Sequence, residues 1–160
     1  MFTIKVDDLS HPAVQALVAY HISGMLEQSP PESSHALDVQ KLCDPAVTFW
    51  SIWEGEHIAG IGALKLLDDK HGELKSMRTA PDFLRRGVAS LILRHILQIA
   101  DARGLQRLSL ETGTQQGFAA CHQLYRKHGF VDCGPFADYR HDPNSRFMSL
   151  VLRGEPPRFS

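Results

Sequence analysis

The chain has few of the features that mark membrane, secreted or nucleic-acid-binding proteins. No apolar run approaches the roughly 18 residues that a transmembrane helix needs, and the N-terminal segment lacks the long apolar stretch of a secretory signal. The 160 residues carry a formal net charge of −1, which gives no electrostatic basis for binding DNA or RNA as a main function. We therefore expect a cytoplasmic protein that acts on neither membranes nor nucleic acids.

The cysteine and histidine patterns exclude several kinds of site. The 3 cysteines are an odd number without CxxC spacing, which favours a reducing compartment over a disulfide framework. None of the 9 histidines stands in HxH, HxxH, HxxxH or HExxH spacing, so no metal site is expected. Cys121 falls on a predicted helix without an identifiable base, which favours a buried structural thiol over a nucleophile.

The remaining composition is typical of one globular domain, with 43% apolar and 22% charged residues. Apolar periodicities predict the order β-α-α-β-β-β-α-β-α-β-β. Three long helices are predicted from Ser10 as N-cap, from Arg86 and from Ala119, and a short one near residue 34. The domain is expected to cover residues 1–153, followed by a loose tail at 154–160. The predicted strands cover residues 2–6, 47–54, 57–67, 73–79, 105–111, 130–133 and 146–152.

A glycine among cationic residues stands at the start of the helix from Arg86. Residues 84–90 read Leu-Arg-Arg-Gly-Val-Ala-Ser, and apolar residues follow at once. Free N–H groups in the first turn of a helix, and the positive end of its dipole, favour a phosphate chain. The alternative is a tight strand-to-helix turn with solvated arginines. The spacing fits neither a Walker A loop nor a dinucleotide loop, so the cofactors of those loops are disfavoured.

This loop, the Glu-bearing strand before it and the sequence Leu-Tyr-Arg-Lys-His-Gly-Phe after it together resemble the GNAT superfamily of acetyl-CoA-dependent N-acetyltransferases. Gly87 and Ala89 match the family consensus Q/R-x-x-G-x-G/A, whereas Leu84 departs from it. The similarity covers roughly residues 2–152. It implies a single α/β domain with a mixed, largely antiparallel sheet, splayed near its middle and flanked by helices. It also implies acetyl-CoA as co-substrate without a metal, and a homodimer, since many relatives dimerise.

The resemblance implies that acetyl-CoA lies along one strand and the loop that follows it. Backbone groups of the strand are expected to pair with the amides of the pantetheine arm, and backbone N–H groups of the loop are expected to bind the phosphates. The strand residues are Met77, Arg78 and Thr79, and the loop residues are Leu84, Arg85, Arg86, Gly87, Val88, Ala89 and Ser90.

Tyr125 and Glu73 are the candidate catalytic residues. Tyr125 lies in an Ala-x-x-x-Leu-Tyr-x-x-x-Gly-Phe pattern similar to a family signature whose Tyr can protonate the departing CoA thiolate. A phenol with a pKa near 10 keeps its proton at neutral pH. Glu73 matches a position that serves as general base in some members. The alternatives are a core aromatic for Tyr125 and a salt bridge with Lys75 for Glu73. A family Asn is not evident, and Thr112 and Gln115 are candidates for its polar role.

The acceptor is expected between two loops. Ser33, Ser34 and His35 lie where the family's variable helices cover the acceptor site, and Arg140 lies in the loop before the last strand. An Arg can clamp a substrate carboxylate through two hydrogen bonds, although a solvated loop is the alternative. The expected reaction is direct acetyl transfer to a primary amine of a small molecule. A protein N-terminus or lysine is the alternative acceptor, and a noncatalytic acyl-CoA-binding regulatory module or a thioester hydrolase is the alternative function.

Overall fold

The computed structural model describes residues 1–28, 42–114, 119–137 and 139–152, with the backbone alone for residues 22–28. The predicted short helix near residue 34 and the predicted tail lie outside these ranges. A single turn of 3-10 helix, Pro81–Phe83, precedes the second helix. The strands are β1 (Phe2–Val6), β2 (Val47–Glu54), β3 (His57–Leu66), β4 (His71–Thr79), β5 (Arg107–Gly113), β6 (Val131–Cys133) and β7 (Ser145–Val151), and the helices are α1 (Pro12–Gln28), α2 (Val88–Ala102) and α3 (Ala119–Lys127).

The seven strands form one mixed sheet in the order β1-β2-β3-β4-β5-β7-β6. Every pair of neighbours is antiparallel except β4 and β5, which are parallel and joined by the crossover through α2. The predicted α/β domain with a largely antiparallel sheet is therefore confirmed.

The two parallel strands separate soon after they begin to pair. Only His71↔Arg107, Gly72↔Leu108 and Glu73↔Ser109 are paired between them, although β4 continues to Thr79. Beyond Glu73, β3 is the only strand that pairs with β4 among the described residues, and the other edge of β4 offers backbone groups that no described strand pairs. The predicted splay is thus present, and Glu73 occupies the last paired position before the strands part.

A bulge in β4 determines which of its side chains share a face. The register with β3 shifts between Ile61 and Ala63, and Ser76 takes a left-handed φ of 56°. Ala63 pairs with Lys75, Ile61 pairs with Arg78, and Lys65 pairs with Glu73. Because directly paired residues share a face, Glu73, Lys75 and Arg78 project from the same side of the sheet, which we call the cleft face.

Helix α2 packs on the opposite face, where two glycines of β3 allow close approach. A Cβ on Gly60 would lie 2.8 Å from Val88 Cγ1, and one on Gly62 would lie 2.9 Å from Met77 Sδ. The nearest atoms at these positions are core side chains, together with the Arg78 carbonyl oxygen 3.1 Å from the Gly60 Cβ position. Leu93 and Ile96 of α2 are fully buried in that core.

Helix starts differ from the predicted ones at two places. The hydroxyl of Ser10 donates to Asp8, and the cap of α1 is instead the ring of His11, whose Nδ1 accepts the N–H of Ala13 at 3.0 Å. Helix α2 begins at Val88 rather than Arg86, because a left-handed Gly87 interrupts the helical backbone before it.

Two strands of the sheet extend beyond their predicted ends. β5 runs on through Thr112 and Gly113, where a loop was expected, because both residues pair with β7. β5 begins at Arg107, two residues later than the predicted residue 105. β4 begins at His71, two residues earlier than the predicted residue 73.

Candidate active site

The loop before α2 presents backbone donors to open space. Gly87 is the N-cap of the helix, with φ 79° and ψ 11°, and it has no side chain that could cap the N–H groups of the first turn. Arg85 is also left-handed, with φ 64°. A Cβ on Gly87 would meet no heavy atom within 4 Å, so the space in front of the helix is accessible. Unclaimed N–H groups at a helix N-terminus fit a phosphate chain, as the sequence predicts.

The side chains of this loop have other partners or point to solvent. Arg86 forms an ion pair with Glu54, with Nη1 3.3 Å from Oε1, and its guanidinium lies over the rings of Phe2 and Phe83 at 5.3 and 5.0 Å. Ser90 Oγ lies 3.3 Å from His128 Nε2 on α3. Any phosphate contact from this loop therefore comes mainly from its backbone, while Arg86 anchors the loop to the sheet.

The loop and the open half of β4 form one continuous surface. Thr79 pairs with Gly60, and the side chain of Val88 lies against that same glycine. The side chain of Met77 points towards α2, next to Gly62. Its backbone, and not its side chain, therefore borders the gap between β4 and β5. The residues predicted for the pantetheine arm and for the phosphates are thus adjacent.

Arg78 links β4 to α1. Its Nε donates to Nδ1 of His21 at 3.0 Å, and its guanidinium lies 5.4 Å from the centre of the Tyr20 ring. Burial, assisted by the charge of Arg78, lowers the pKa of His21 to about 3. His21 is therefore a neutral acceptor at physiological pH and holds the arginine in place on the cleft face.

Tyr125 is buried on α3, with 7% of its surface exposed, and its ring meets that of Phe130 edge to face at 5.7 Å. Its hydroxyl forms no hydrogen bond with any other residue that the structure describes. Burial, with a smaller contribution from Cys121, raises the pKa of Tyr125 above its ordinary value, and Arg78 acts in the opposite direction. The phenol consequently keeps its proton at neutral pH and is available as a donor.

Glu73 lies at the centre of a hydrogen-bonded cluster on the cleft face. Only 3% of its surface is exposed. Its Oε2 accepts from Lys75 Nζ at 2.8 Å and from the hydroxyl of Tyr139 at 2.6 Å, and Lys75 Nζ also donates to that hydroxyl at 2.9 Å. The salt bridge with Lys75, which the sequence offers as an alternative role, is present. Both donors converge on one oxygen, so Oε1 has no partner among the described residues.

Tyr139 belongs to an aromatic group that the sequence does not reveal. Its ring lies 5.1 Å from Phe136 and 5.5 Å from Phe147, and Phe136 lies 5.8 Å from His71. This packing folds the loop before β7 over the sheet. Burial first, and then the negative charge of Glu73, raise the pKa of Tyr139. The tyrosine stands 66 residues from Glu73 in the sequence, and no local pattern connects them.

A cleft of about 810 Å³ opens above this cluster. The structure thus brings Glu73 and Arg140 to one cavity, whereas Ser33, Ser34 and His35 lie outside the described residues. The lining comes from the β3–β4 hairpin and from the loop before β7, and consists of Lys65, Leu66, Leu67, Asp68, His71, Glu73, Lys75, Ala137, Tyr139, Arg140, His141 and Asp142.

Three further sequence predictions concern residues near the site. Thr112 is buried in β5 on the face of Leu108 and Leu110, opposite Glu73, while Gln115 lies outside the described residues. Burial raises the pKa of the Cys121 thiol, which agrees with a structural role. Within the ranges that the structure describes, no cluster of three or more potential metal ligands occurs, and no helix is long and apolar enough to span a bilayer.

Comparison with known proteins supports the same family. The family model for the GNAT acetyltransferases matches residues 15–130. An uncharacterised N-acetyltransferase from Escherichia coli, YedL, is 84% identical over 152 residues, which are 95% of this chain and 96% of that protein. A second one from Bacillus subtilis, YsnE, is 54% identical over 149 residues, covering 93% and 99% of the two chains.

Solved structures share the fold. A Klebsiella pneumoniae protein described as an acyl-CoA N-acyltransferase superposes with a TM-score of 0.77 at 27% identity, over 96% of this chain and 99% of that one. A GNAT acetyltransferase from Elizabethkingia anophelis, crystallised with acetyl-CoA, gives 0.66 at 16% identity over 94% and 97%. The match to the family model, the similar relatives and the splayed sheet all indicate the same family. The chain belongs to the GNAT family of acetyltransferases.

Proposed function

We propose that this N-acetyltransferase moves the acetyl group of acetyl-CoA directly to the primary amine of a small molecule, without a covalent acetyl-enzyme. The observation that carries the proposal is the position of Glu73, at the point where β4 and β5 part and at the wall of the cleft. A thioester entering between the open strands and an amine entering through the cleft would meet there.

The cofactor half of the site would use mainly backbone groups. The N–H groups of Val88, Ala89 and Ser90 would bind the phosphates, with Arg78 and its neighbours beside the pantetheine arm. Unpaired N–H groups of β4 beyond Glu73 would stabilise the oxyanion that forms when the amine attacks the thioester carbonyl. The site needs no metal for this chemistry.

Two side chains would move the protons. Glu73 Oε1, free of the Lys75 and Tyr139 contacts, would take a proton from the acceptor ammonium, directly or through water. As the new carbon–nitrogen bond forms and the carbon–sulfur bond breaks, the Tyr125 hydroxyl would protonate the departing thiolate. Its raised pKa supports this role, as does a hydroxyl that has no hydrogen-bond partner among the described residues.

The size of the cleft supports a small acceptor. A volume of about 810 Å³ lies in the range typical of small-molecule sites. The charged and aromatic lining also offers groups that would orient a small amine. The loop that bears Tyr139 covers part of this space, which would restrict access for a folded protein substrate.

The test measures release of free CoA thiol from acetyl-CoA with and without a panel of small amines, N-terminal peptides and lysine peptides. The proposal expects release that depends on a small amine, together with one acetylated product by mass spectrometry. Release without any amine would indicate a hydrolase, acetylation of peptides alone would indicate a protein acetyltransferase, and tight binding without release would indicate a binding module. Each of these results contradicts the proposal.

Glu73→Gln then tests the base. The variant preserves size and can still accept from Lys75 and Tyr139, and we expect the rate to fall by about 10²-fold at neutral pH. The deficit should shrink as rising pH supplies free amine from solution. The matched control is Glu56→Gln, an exposed change in the β2–β3 turn. A deficit that is absent, or equally large across the titration of the acceptor, would assign Glu73 to structure alone.

A further inference from the structure

The charged groups around the cleft do not all neutralise one another. Glu73 and Lys75 form a pair at 2.8 Å. Asp68 Oδ1 accepts the backbone N–H groups of Lys70 and His71, both at 2.8 Å, and thereby builds the β3–β4 turn. Asp68 Oδ1 and Glu73 Oε2 therefore already have partners within the protein.

Two cations of the lining have no such partner. Neither Lys65 Nζ nor the Arg140 guanidinium has a carboxylate oxygen within 4.0 Å or a hydrogen bond in the described parts of the chain. Asp142, the remaining acidic residue of the lining, accepts the N–H of Asn144 at 2.8 Å and has further interactions of its own. Lys65 and Arg140 are thus two cations of the lining without a direct carboxylate partner in the described parts of the chain, whereas Asp68 and Asp142 accept backbone N–H groups and Glu73 is paired with Lys75.

The position of Lys65 relates this positive charge to the reacting amine. Lys65 pairs directly with Glu73 across β3 and β4, so their Cβ atoms are about 5 Å apart on the same face. Arg140 lines the cleft from the loop before β7, next in sequence to Tyr139, the hydrogen-bond donor to Glu73. A molecule whose ammonium meets Glu73 therefore extends into a cavity that both cations line, with Lys65 beside Glu73.

We infer that the acceptor carries a carboxylate close to its amine, as an α-amino acid does. The inference rests on the proposed transfer reaction and names its substrate class. Lys65 and Arg140 bind the carboxylate, Glu73 receives the ammonium, and Leu66, Leu67 and the Tyr139 ring contact the side chain of the acceptor. An Arg from the loop before β7 and a Lys from β3 provide both a forked donor and a point charge for one anion.

The first experiment measures binding without turnover. Calorimetry compares N-acetylphenylalanine with N-acetylphenethylamine, which differ only in the carboxylate, in the presence of CoA. We expect the carboxylate to improve affinity about tenfold in the wild type, and the advantage to disappear in Lys65→Gln combined with Arg140→Gln. Lys70→Gln, a neighbouring exposed lysine outside the cleft, should retain it. Equal affinity for both compounds in the wild type overturns the inference.

The second experiment measures turnover of matched acceptors, phenylalanine with phenethylamine and leucine with isoamylamine, compared per concentration of free amine. The amino acids should have the higher kcat/KM, and Lys65→Gln or Arg140→Gln should raise KM for them by roughly tenfold more than for the decarboxylated amines. If amines without a carboxylate are acetylated equally well, the inference fails and the transfer reaction stands. If no amine is acetylated, the transfer reaction fails, and the calorimetry still decides whether the anion site exists.

Discussion

In the proposed reaction, the two ends of β4 act by different physical means. At its C-terminal end, the loop around Gly87 offers backbone N–H groups, while the side chain of Arg86 is paired with Glu54. At its N-terminal end, the cleft depends on side chains, with Glu73 held by Lys75 and Tyr139. The loop should therefore tolerate changes of side-chain identity that preserve its backbone, whereas the cleft should respond to the loss of single atoms.

The largest expected effect concerns the proton donor. Tyr125→Phe keeps the buried ring and its contact with Phe130 but removes the hydroxyl. We expect kcat to fall by about 10²-fold, with little change in the affinity for acetyl-CoA, because the group would act only as the thiolate leaves. Stopped-flow measurement of thiol release, with calorimetry for CoA binding, separates the two quantities.

Near-wild-type turnover of Tyr125→Phe, under conditions where chemistry limits the rate, would contradict the assignment. The thiolate would then leave unassisted or take its proton from water. A fall in CoA affinity with unchanged kcat would instead make Tyr125 part of the cofactor-binding surface and weaken the contrast between the two ends of the strand.

The next effect concerns the stability of the protein and tests the hydrogen bond from Arg78, between the two ends of β4, to His21. The fold lowers the pKa of His21 from its ordinary value of 6.5 to about 3. The stability that this histidine contributes is therefore present above pH 6.5 and is lost progressively as the pH falls from 6.5 towards 3. With an unfolded pKa near 6.5, the loss at pH 5 is about 2 kcal/mol. His21→Gln keeps an acceptor for Arg78 without a titrating ring.

Denaturant unfolding at pH 7.5 and pH 5 measures this contribution. We expect the free energy of unfolding to fall between these pH values by about 2 kcal/mol more in the wild type than in His21→Gln. Carboxylates and the other histidines titrate in both proteins, so their effects cancel in the difference. Equal falls in the two proteins would show that the imidazole is not held neutral by the fold.

The smallest expected effect concerns the loop. Asn and Asp both tolerate a left-handed φ, and the space in front of Gly87 has room for either. Gly87→Asp adds a negative charge beside the expected phosphates, whereas Gly87→Asn does not. We expect CoA to bind about tenfold more weakly to the Asp variant than to the Asn variant at low salt.

Calorimetry with CoA, together with circular dichroism of both Gly87 variants, makes this measurement. The difference between Asp and Asn should diminish at high salt, since it arises from charge. If the two variants bind CoA equally, the loop does not face the phosphates, and the contrast between a backbone end and a side-chain end of β4 is wrong.

The parts of the molecule that the sequence predicts well are those encoded locally. Alternating apolar residues identify most strands, and Gly87 before an apolar helix identifies the loop, because backbone conformation and burial depend on residues only a few positions apart. The splay was predicted only through the family resemblance. The cap of α1 was missed because the ring of His11, rather than the hydroxyl of Ser10, accepts the free N–H group.

The parts that remained hidden depend on distant residues or on unusual conformations. Glu73 and Tyr139 meet across 66 positions, and Lys65 meets Glu73 only through strand register. Ser76 carries a left-handed φ without being Gly, Asn or Asp, so the bulge leaves no compositional signal. A sequence can therefore indicate which residues are chemically suited to an acceptor site but not how their side chains are brought together.

The bulge at Ser76 reverses the alternation of side chains along β4. Before it, odd-numbered residues such as Glu73 and Lys75 face the cleft, and after it the even-numbered Arg78 does. Deletion of Ser76 would remove the extra residue and keep Arg78 on the cleft face and Met77 towards α2, whereas a regular strand that retained Ser76 would turn Arg78 towards α2 and Met77 towards the cleft. An alignment without a gap at Ser76 will therefore equate residues of this strand with residues that face the other side of the sheet in a relative that lacks the bulge. Functional comparisons of this strand should first establish which face each side chain occupies.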